Sequence, residues 1–362
     1  MEESLIYPLP SRAWLDVSLD ALRRNATELQ VRTGLPLIPM VKANAYGVGS
    51  AGVVRALESL DPLAYGVASV EEGELLREMG ILRPIIVFTP ILEAEHARAQ
   101  AADLAVALGS AEAIESWAPS GKPYHLAIDT GMNRAGVPWR DVASVRDAAR
   151  RWPPSAAFTH FHSAEIENDS AQEQVQRFFS AIDQIGVQIS LLHGDNSAAA
   201  ARGVEGRGRW GAIRPGIFLY GVGSRFGVSA EPVVSLRARV VDVRWIEAGD
   251  SVSYDATYVA ARRERIATAA IGYGDGYPRA LSDRATAILN GNRVSQRGLV
   301  TMDMTMFDVT ETACLVGDVI TLLGSEGGPE MTVEGLAASA GMSPYELLTG
   351  LAARLERRYL EV

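Results

Sequence analysis

The sequence predicts an α/β fold: a parallel (β/α)8 TIM barrel over residues 12–225, followed by a mainly-β C-terminal domain over residues 226–362. Three observations carry this reading. Eight short apolar runs alternate with helical segments between residues 37 and 220, the number of strands such a barrel needs. No GxGxxG dinucleotide fingerprint follows the first run, which argues against a doubly wound open sheet. Past about Ser224 the apolar residues change to period-two alternation broken by Gly and Asn turns, the pattern of half-buried strands.

In chain order, Arg12 to Val17 alternates like a strand, and residues 13–17 are assigned to the second domain's sheet because they precede the barrel rhythm. Ser18 opens an amphipathic helix through Leu19, Leu22 and Leu29 that stops at Gly34. The barrel runs are Leu37–Val41, Ala64–Ala68, Pro84–Phe88, Leu104–Leu108, Tyr124–Ile128, Ala156–Phe161, Gln188–Leu192 and Ile213–Tyr220. Among the helices between them, Ser69 and Glu72 read as a capping box and Gly80 as a stop. In the second domain Asn290-Gly291 is a hairpin signal. Ser343, Pro344 and Glu346 then supply the cap, first-turn proline and capping-box acid of a closing helix.

Composition narrows the function. The 362 residues are 48% hydrophobic and 22% charged, as in an ordinary soluble globular protein of about two domains. A net charge of −10 without a run of Lys or Arg argues against nucleic acid or an anionic membrane as partner. The first residues carry two acids and no sustained apolar stretch, unlike a secretory or transit peptide. One cysteine, Cys314, rules out an internal disulfide and makes a reducing cytoplasm the default compartment. The five histidines form no metal signature, although His160 and His162 would share one face of a strand; no metal is expected.

The first apolar run ends at Lys42 and opens into a loop with Asn44, Tyr46, Gly47 and Gly49. A lysine at the carboxyl end of a barrel strand stands where such folds keep their chemistry, and once desolvated it can lose its proton and attack a carbonyl. The loops after the other runs bring Ser69, Asp129, Asn133, Arg134, His160, His162, Asn196, Ser197, Arg214, Gly216 and Tyr220 to the same end. Together they read as a pocket for an anionic, aromatic or carbonyl ligand, with backbone N–H groups near Gly216 and Gly221 suited to a phosphate.

Several segments together resemble the alanine racemase family: Val41-Lys-Ala-Asn-Ala-Tyr-Gly47, Asp129-Thr-Gly-Met-Asn-Arg-Ala-Gly136, Thr159-His160, Asn196-Ser-Ala198, Arg214-Pro-Gly-Ile217, Ser253-Tyr-Asp-Ala-Thr-Tyr258, Ile271-Gly-Tyr-Gly-Asp-Gly-Tyr277 and Met302-Asp303. They run in the family's order from about Trp14 to the C-terminus. The resemblance implies a pyridoxal 5′-phosphate enzyme that interconverts L- and D-alanine by a two-base mechanism and supplies D-alanine for cell-wall peptidoglycan. It implies that Lys42 holds the cofactor as an imine and acts as one acid/base. Tyr254, from the second subunit of a homodimer, would be the other. A tyrosine is a poor base in water, so the pair matched by His160 and Arg214 would supply positive charge. Arg214 would also face the pyridine nitrogen. Tyr46, Ser197, Gly216, Ile217 and Tyr273 match phosphate contacts, and Asn196 falls in the same cofactor-binding segment. Arg134 matches a contact to the cofactor's phenolic oxygen and the substrate carboxylate, which the backbone of Met302 would also hold.

Three positions depart from the family pattern. Ala127 replaces a lysine that is often carbamylated, with a water or small anion near Asn133 and Arg134 expected in its place. Val48 replaces a frequent histidine. Ala353 replaces a gate tyrosine, which implies a substrate range extending to serine or other amino acids. The alternatives are a broader-specificity racemase, a barrel-type decarboxylase and a cofactor-binding protein without turnover.

Overall fold

In the computed structural model, residues 11–204, 208–223 and 226–361 are described. The expected boundary at residue 225 therefore lies outside the described residues. The chain forms two compact units: residues 19–231, and residues up to Ser18 with those from Pro232 onward.

The first unit is the barrel. Parallel strands Tyr65–Val67, Ile85–Val87, Ala105–Leu108, Tyr124–Asp129, Ala156–Phe158, Leu191–Asn196 and Ala212–Arg214 follow one another in the sheet. The remaining run closes the circle through isolated parallel bridges, Leu37 to Ile213 on one side and Met40 to Gly66 on the other. These strands are buried on both faces, which is why they read as continuous apolar runs. Inside, Ile38, Ala64, Ile86, Ala105 and Ala212 pack together with Phe88 and Leu191, small residues making room for large ones. Outside, the helix Ser170–Ile185 buries Val175, Phe178, Ala181, Ile182 and Ile185 at helical spacing and ends at Gly186, whose φ of 64° suits glycine.

Three predicted strands differ in their bounds. The seventh is Leu191–Asn196 rather than Gln188–Leu192. The eighth stops at Arg214, because Pro215 lacks an N–H and Ile217–Tyr220 turns into a buried 3-10 helix. The strand Ala156–Phe158 likewise ends before His160 and His162, which lie on the following loop instead of one strand face. At Ser69 the capping box is only half formed. The hydroxyl accepts from Glu72 N at 3.3 Å, whereas the Glu72 carboxylate turns to the N–H groups of Ala68 and Ala43.

In the second unit the described residues form a nine-stranded sheet around the long strand Val234–Ile246. Ala13–Ser18 lies between that strand, antiparallel, and the C-terminal strand Glu356–Leu360, parallel. The unit thus ends on a strand rather than on the helix Pro344–Thr349, whose Ser343–Glu346 capping box is complete. Asn290 and Gly291, with φ of 49° and 74°, make the tight turn between Thr286–Leu289 and Asn292–Gln296.

Candidate active site

Lys42 is delivered by strained backbone. Immediately after it, Ala43, Asn44, Ala45 and Tyr46 all have φ between 52° and 54°, a left-handed helical turn built without glycine. Each such residue costs about 1–2 kcal/mol relative to the right-handed form. The surroundings enforce it. Ala45 N donates to Val41 O at 2.8 Å and Gly47 N to Ala43 O at 2.8 Å, while the Asn44 side chain accepts from Ser50 N at 2.8 Å. Glu72 ties the turn to the next strand, accepting from Ala43 N at 2.6 Å and from Ala68 N at 2.7 Å. Backbone strain concentrated at one turn is a mark of a functional site. The Lys42 amine lies below its ordinary pKa, first because burial desolvates it, then because of the Arg134 charge; Glu72 opposes this and Arg214 adds to it.

Beside Lys42, Ser197 Oγ accepts from Gly216 N at 2.8 Å and from Phe218 N at 3.3 Å, gathering two backbone N–H groups on one hydroxyl. Asn196 caps the short helix Ser197–Arg202 by accepting from Ala199 N. The Tyr46 ring stacks on Tyr220, with centroids 4.7 Å apart, and Tyr220 donates to Met40 O. A Cβ at position 216 would lie 2.4 Å from Tyr46 Oη, so only glycine allows this approach. Ile217 is buried at the start of the next turn.

Arg214 is buried at the end of its strand, 4% exposed. Its terminal nitrogens donate to His193 Nδ1, His193 O, Thr159 O and Gly194 O at 2.7–3.1 Å. These bonds use its four terminal N–H groups and leave Nε–H, the fifth donor of a guanidinium, outside the set. Burial lowers the Arg214 pKa to about 10, with Asp195 opposing, so the group stays charged at neutral pH. The imidazole hydrogen-bonded to it is that of His193. His160 is coupled to it only through charge: burial, then Arg214, Arg134 and Lys42, push the His160 pKa down to about 3.

Burial also lowers His125 from 6.5 to about 3, followed by the Arg214 charge, and lowers His193 well below 6.5. A histidine whose pKa falls on folding takes up protons preferentially in the unfolded state. Its contribution is intact above the unfolded pKa of about 6.5 and is lost as pH falls toward 3. For His125 alone the loss by about pH 5 is on the order of 2 kcal/mol. The urea midpoint is expected to fall steeply between about pH 7 and pH 5, and a flat midpoint over that interval would contradict the neutral burial of these rings.

Arg134 sits on an exposed loop after Tyr124–Asp129. The Asp129 carboxylate accepts from Gly131 N and so shapes that loop. Ala127 packs with Ala107, Phe158 and Phe88 in an apolar setting.

The second unit presents Tyr254, Tyr273 and Met302, which are 71%, 44% and 53% exposed. Their loops are joined: Ser253 Oγ donates to Leu299 O, Tyr273 N to Thr301 O and Gly274 N to Met302 O. Ser253, at φ 68°, is itself strained next to Tyr254.

Sequence reasoning missed Glu72 as a partner of the lysine turn and His193 as the holder of Arg214. For Glu72 the capping signal was visible but not its second bond. His193 carried a signal in being a polar residue directly after an apolar barrel run.

A desolvated lysine at the end of a barrel strand, with the charges of Arg134 and Arg214 acting on it, marks the chain as a barrel enzyme. Comparison gives the family. The models for the alanine racemase N-terminal and C-terminal domains match residues 17–224 and 233–359. The chain is 37% identical to an alanine racemase of Citrifermentans bemidjiense, over 95% of this chain and 97% of the relative. Among solved structures it is similar to the alanine racemase of Bacillus anthracis with bound L-Ala-P, with a TM-score of 0.89, 28% identity and coverage of 98% and 96% of the two chains. It is also similar to that of Bartonella henselae with covalently bound pyridoxal phosphate, with a TM-score of 0.89, 25% identity and coverage of 97% and 100%. The chain belongs to the alanine racemase family.

Proposed function

We propose that this protein is a pyridoxal-phosphate-dependent isomerase that interconverts L- and D-alanine, supplying D-alanine for peptidoglycan. The observation that carries this reading is the Lys42 amine, held by a strained turn and lowered in pKa by burial and by Arg134 and Arg214. The residues fit the cofactor. Lys42, Arg134 and Arg214 offer positive charge, the Gly216 and Phe218 N–H groups converge on Ser197, and the Arg214 Nε–H is the one donor left over from its bonds to His193, Thr159 and Gly194. Lys42 would hold the cofactor covalently through Nζ. Tyr46, Asn196, Ser197, Gly216 and Ile217 would line its phosphate side, with Tyr273 contributing from a second copy of the chain.

Bound there, pyridoxal phosphate supplies an electron sink that acidifies the substrate's α-C–H bond. Arg214 only donates hydrogen bonds, so an acceptor nitrogen facing its Nε stays unprotonated, which weakens that sink and limits side reactions such as transamination. Lys42 Nζ moves a proton at the α-carbon on one face, and Tyr254 Oη on the other. His160, kept neutral, adds no positive charge of its own, which leaves Arg214 and Arg134 as the cations of the site. Arg134 and the Met302 backbone hold the substrate carboxylate.

A homodimer with a shared site follows from this reading. Tyr254, Tyr273 and Met302 are exposed on one set of hydrogen-bonded loops, available to the barrel of a second copy. The lone buried cysteine accords with a cytoplasmic enzyme. Among the described residues no helix is long and apolar enough to cross a membrane. A decarboxylase that uses a β-domain cysteine is disfavoured, because Cys314 is 2% exposed and burial raises its thiol pKa.

The test is loss of optical rotation from L-alanine together with a visible absorbance band that vanishes on borohydride reduction. Cofactor binding without loss of rotation would favour a binding protein. Ala353 is exposed and offers no bulk where a gate tyrosine is expected. L-serine is therefore expected to be racemised within about two orders of magnitude of the alanine specificity constant, the discrimination an added hydroxyl ordinarily meets in an apolar pocket. Alanine leading by several orders would refute that extension.

A further inference from the structure

Two histidines are buried in the barrel interior, His193 against Arg214 and His125 with no role assigned above. His125 stands on Tyr124–Asp129 and His193 on Leu191–Asn196, strands that Ala156–Phe158 separates in the sheet. Their rings meet across the interior, His125 Nδ1 lying 2.9 Å from His193 Nε2. On its other side, His193 Nδ1 lies 2.7 Å from a terminal nitrogen of Arg214.

Donor and acceptor arithmetic fixes the protons. A guanidinium has donors only, so His193 Nδ1 must accept. Both rings are buried beside that cation and are held neutral, so each carries one proton. The His193 proton is then on Nε2 and is donated to His125 Nδ1, which places the His125 proton on its own Nε2. We propose that His125 is a positioning residue: by accepting from His193 it locks that ring in the Nε2–H tautomer, and His193 so locked holds Arg214 with only Nε–H free to serve the site.

Packing alone does not achieve this. Phe158 stacks on His193, with centroids 5.4 Å apart and planes 2° from parallel, and Phe88 and Phe158 flank the Arg214 guanidinium carbon at 5.6 and 5.3 Å. These contacts fix ring planes but do not distinguish the two nitrogens of an imidazole. Without an acceptor at position 125, His193 can move its proton to Nδ1. That N–H would oppose an N–H of Arg214 and turn the guanidinium. The effect on catalysis rests on the reading in which the Arg214 Nε–H serves the cofactor ring, whereas the tautomer itself does not.

The first test is therefore spectroscopic. In the holoenzyme labelled with ¹⁵N-histidine, long-range proton–nitrogen spectra at neutral pH should show His125 and His193 both neutral with the proton on Nε2. A charged ring, or His193 protonated on Nδ1, overturns the proposal whether or not the protein racemises alanine. The second test compares His125→Phe, which removes the acceptor, with His125→Asn, whose side-chain oxygen can occupy the place of Nδ1. His125→Phe should lower kcat about ten- to a hundredfold with little change in KM, the scale of a misplaced active-site group, and should give His193 mixed tautomers. His125→Asn should restore kcat to within about threefold of the parent and a single His193 tautomer. Equal losses in both variants, or a loss without a tautomer change, would assign the effect to packing and overturn the relay. Should His125→Phe fail to fold, the parent spectrum and the asparagine variant still decide the matter.

Discussion

Lys42→Ala is expected to abolish racemisation, with kcat falling by at least about a thousandfold, because one side chain is asked both to hold the cofactor and to move a proton. The loss should be accompanied by disappearance of the visible band that borohydride removes. Position 42 follows the Leu37–Met40 run and precedes the left-handed turn, and neither depends on the amine. The fold should therefore persist, and circular dichroism and the urea midpoint should stay close to those of the parent. Added methylamine should not restore inversion, because a free amine lacks the fixed approach of a tethered one. Near-normal turnover in a well-folded Lys42→Ala protein would remove the assignment of this residue and, with it, the proposed mechanism.

Tyr254→Phe is the second large effect, and its signature is asymmetric. Removing a positioned acid/base costs about a hundred- to ten-thousandfold. The equilibrium constant of racemisation is one, so kcat/KM for the two directions of inversion must fall together. Exchange of the α-hydrogen with solvent is not bound in this way. D-alanine should still exchange in deuterated water through Lys42, while exchange from L-alanine collapses; mass spectrometry of each recovered enantiomer reads the difference. Equal loss of exchange from both enantiomers would mean that Tyr254 does not serve one face alone. The exposed position of Tyr254 makes this substitution mild for the fold.

Much of this architecture was legible in the sequence for a physical reason. Barrel strands buried on both faces leave unbroken apolar runs, and the β unit's alternation and Asn290-Gly291 turn are equally local signals. The same reasoning went astray where chemistry occupies the strand. Leu191–Asn196 carries His193, Gly194, Asp195 and Asn196 in its second half, so a search for apolar residues stopped short of it. Ile217–Tyr220 is apolar because it is a buried turn, and Pro215 was the only warning. Lys42 and its neighbours were recognisable as a motif, but the left-handed turn was not, since Ala-Asn-Ala-Tyr lacks the glycines that usually mark positive φ. Contacts between residues far apart in sequence, such as His125 with His193 or Glu72 with Ala43, leave no periodic trace and emerge only when the barrel closes.

The turn after Lys42 also bears on how this chain can vary. Glycine at residues 43, 45 or 46 would relieve about 1 kcal/mol of backbone strain at each position, yet it would give the lysine a looser hinge. Branched side chains are shut out for the opposite reason, because the left-handed region rejects them. Drift is thus confined from both sides, to residues small or adaptable enough to enter the turn and still stiff enough to hold it. The segment gives up folding free energy for a fixed amine, and a more stable sequence there would belong to a less exact enzyme.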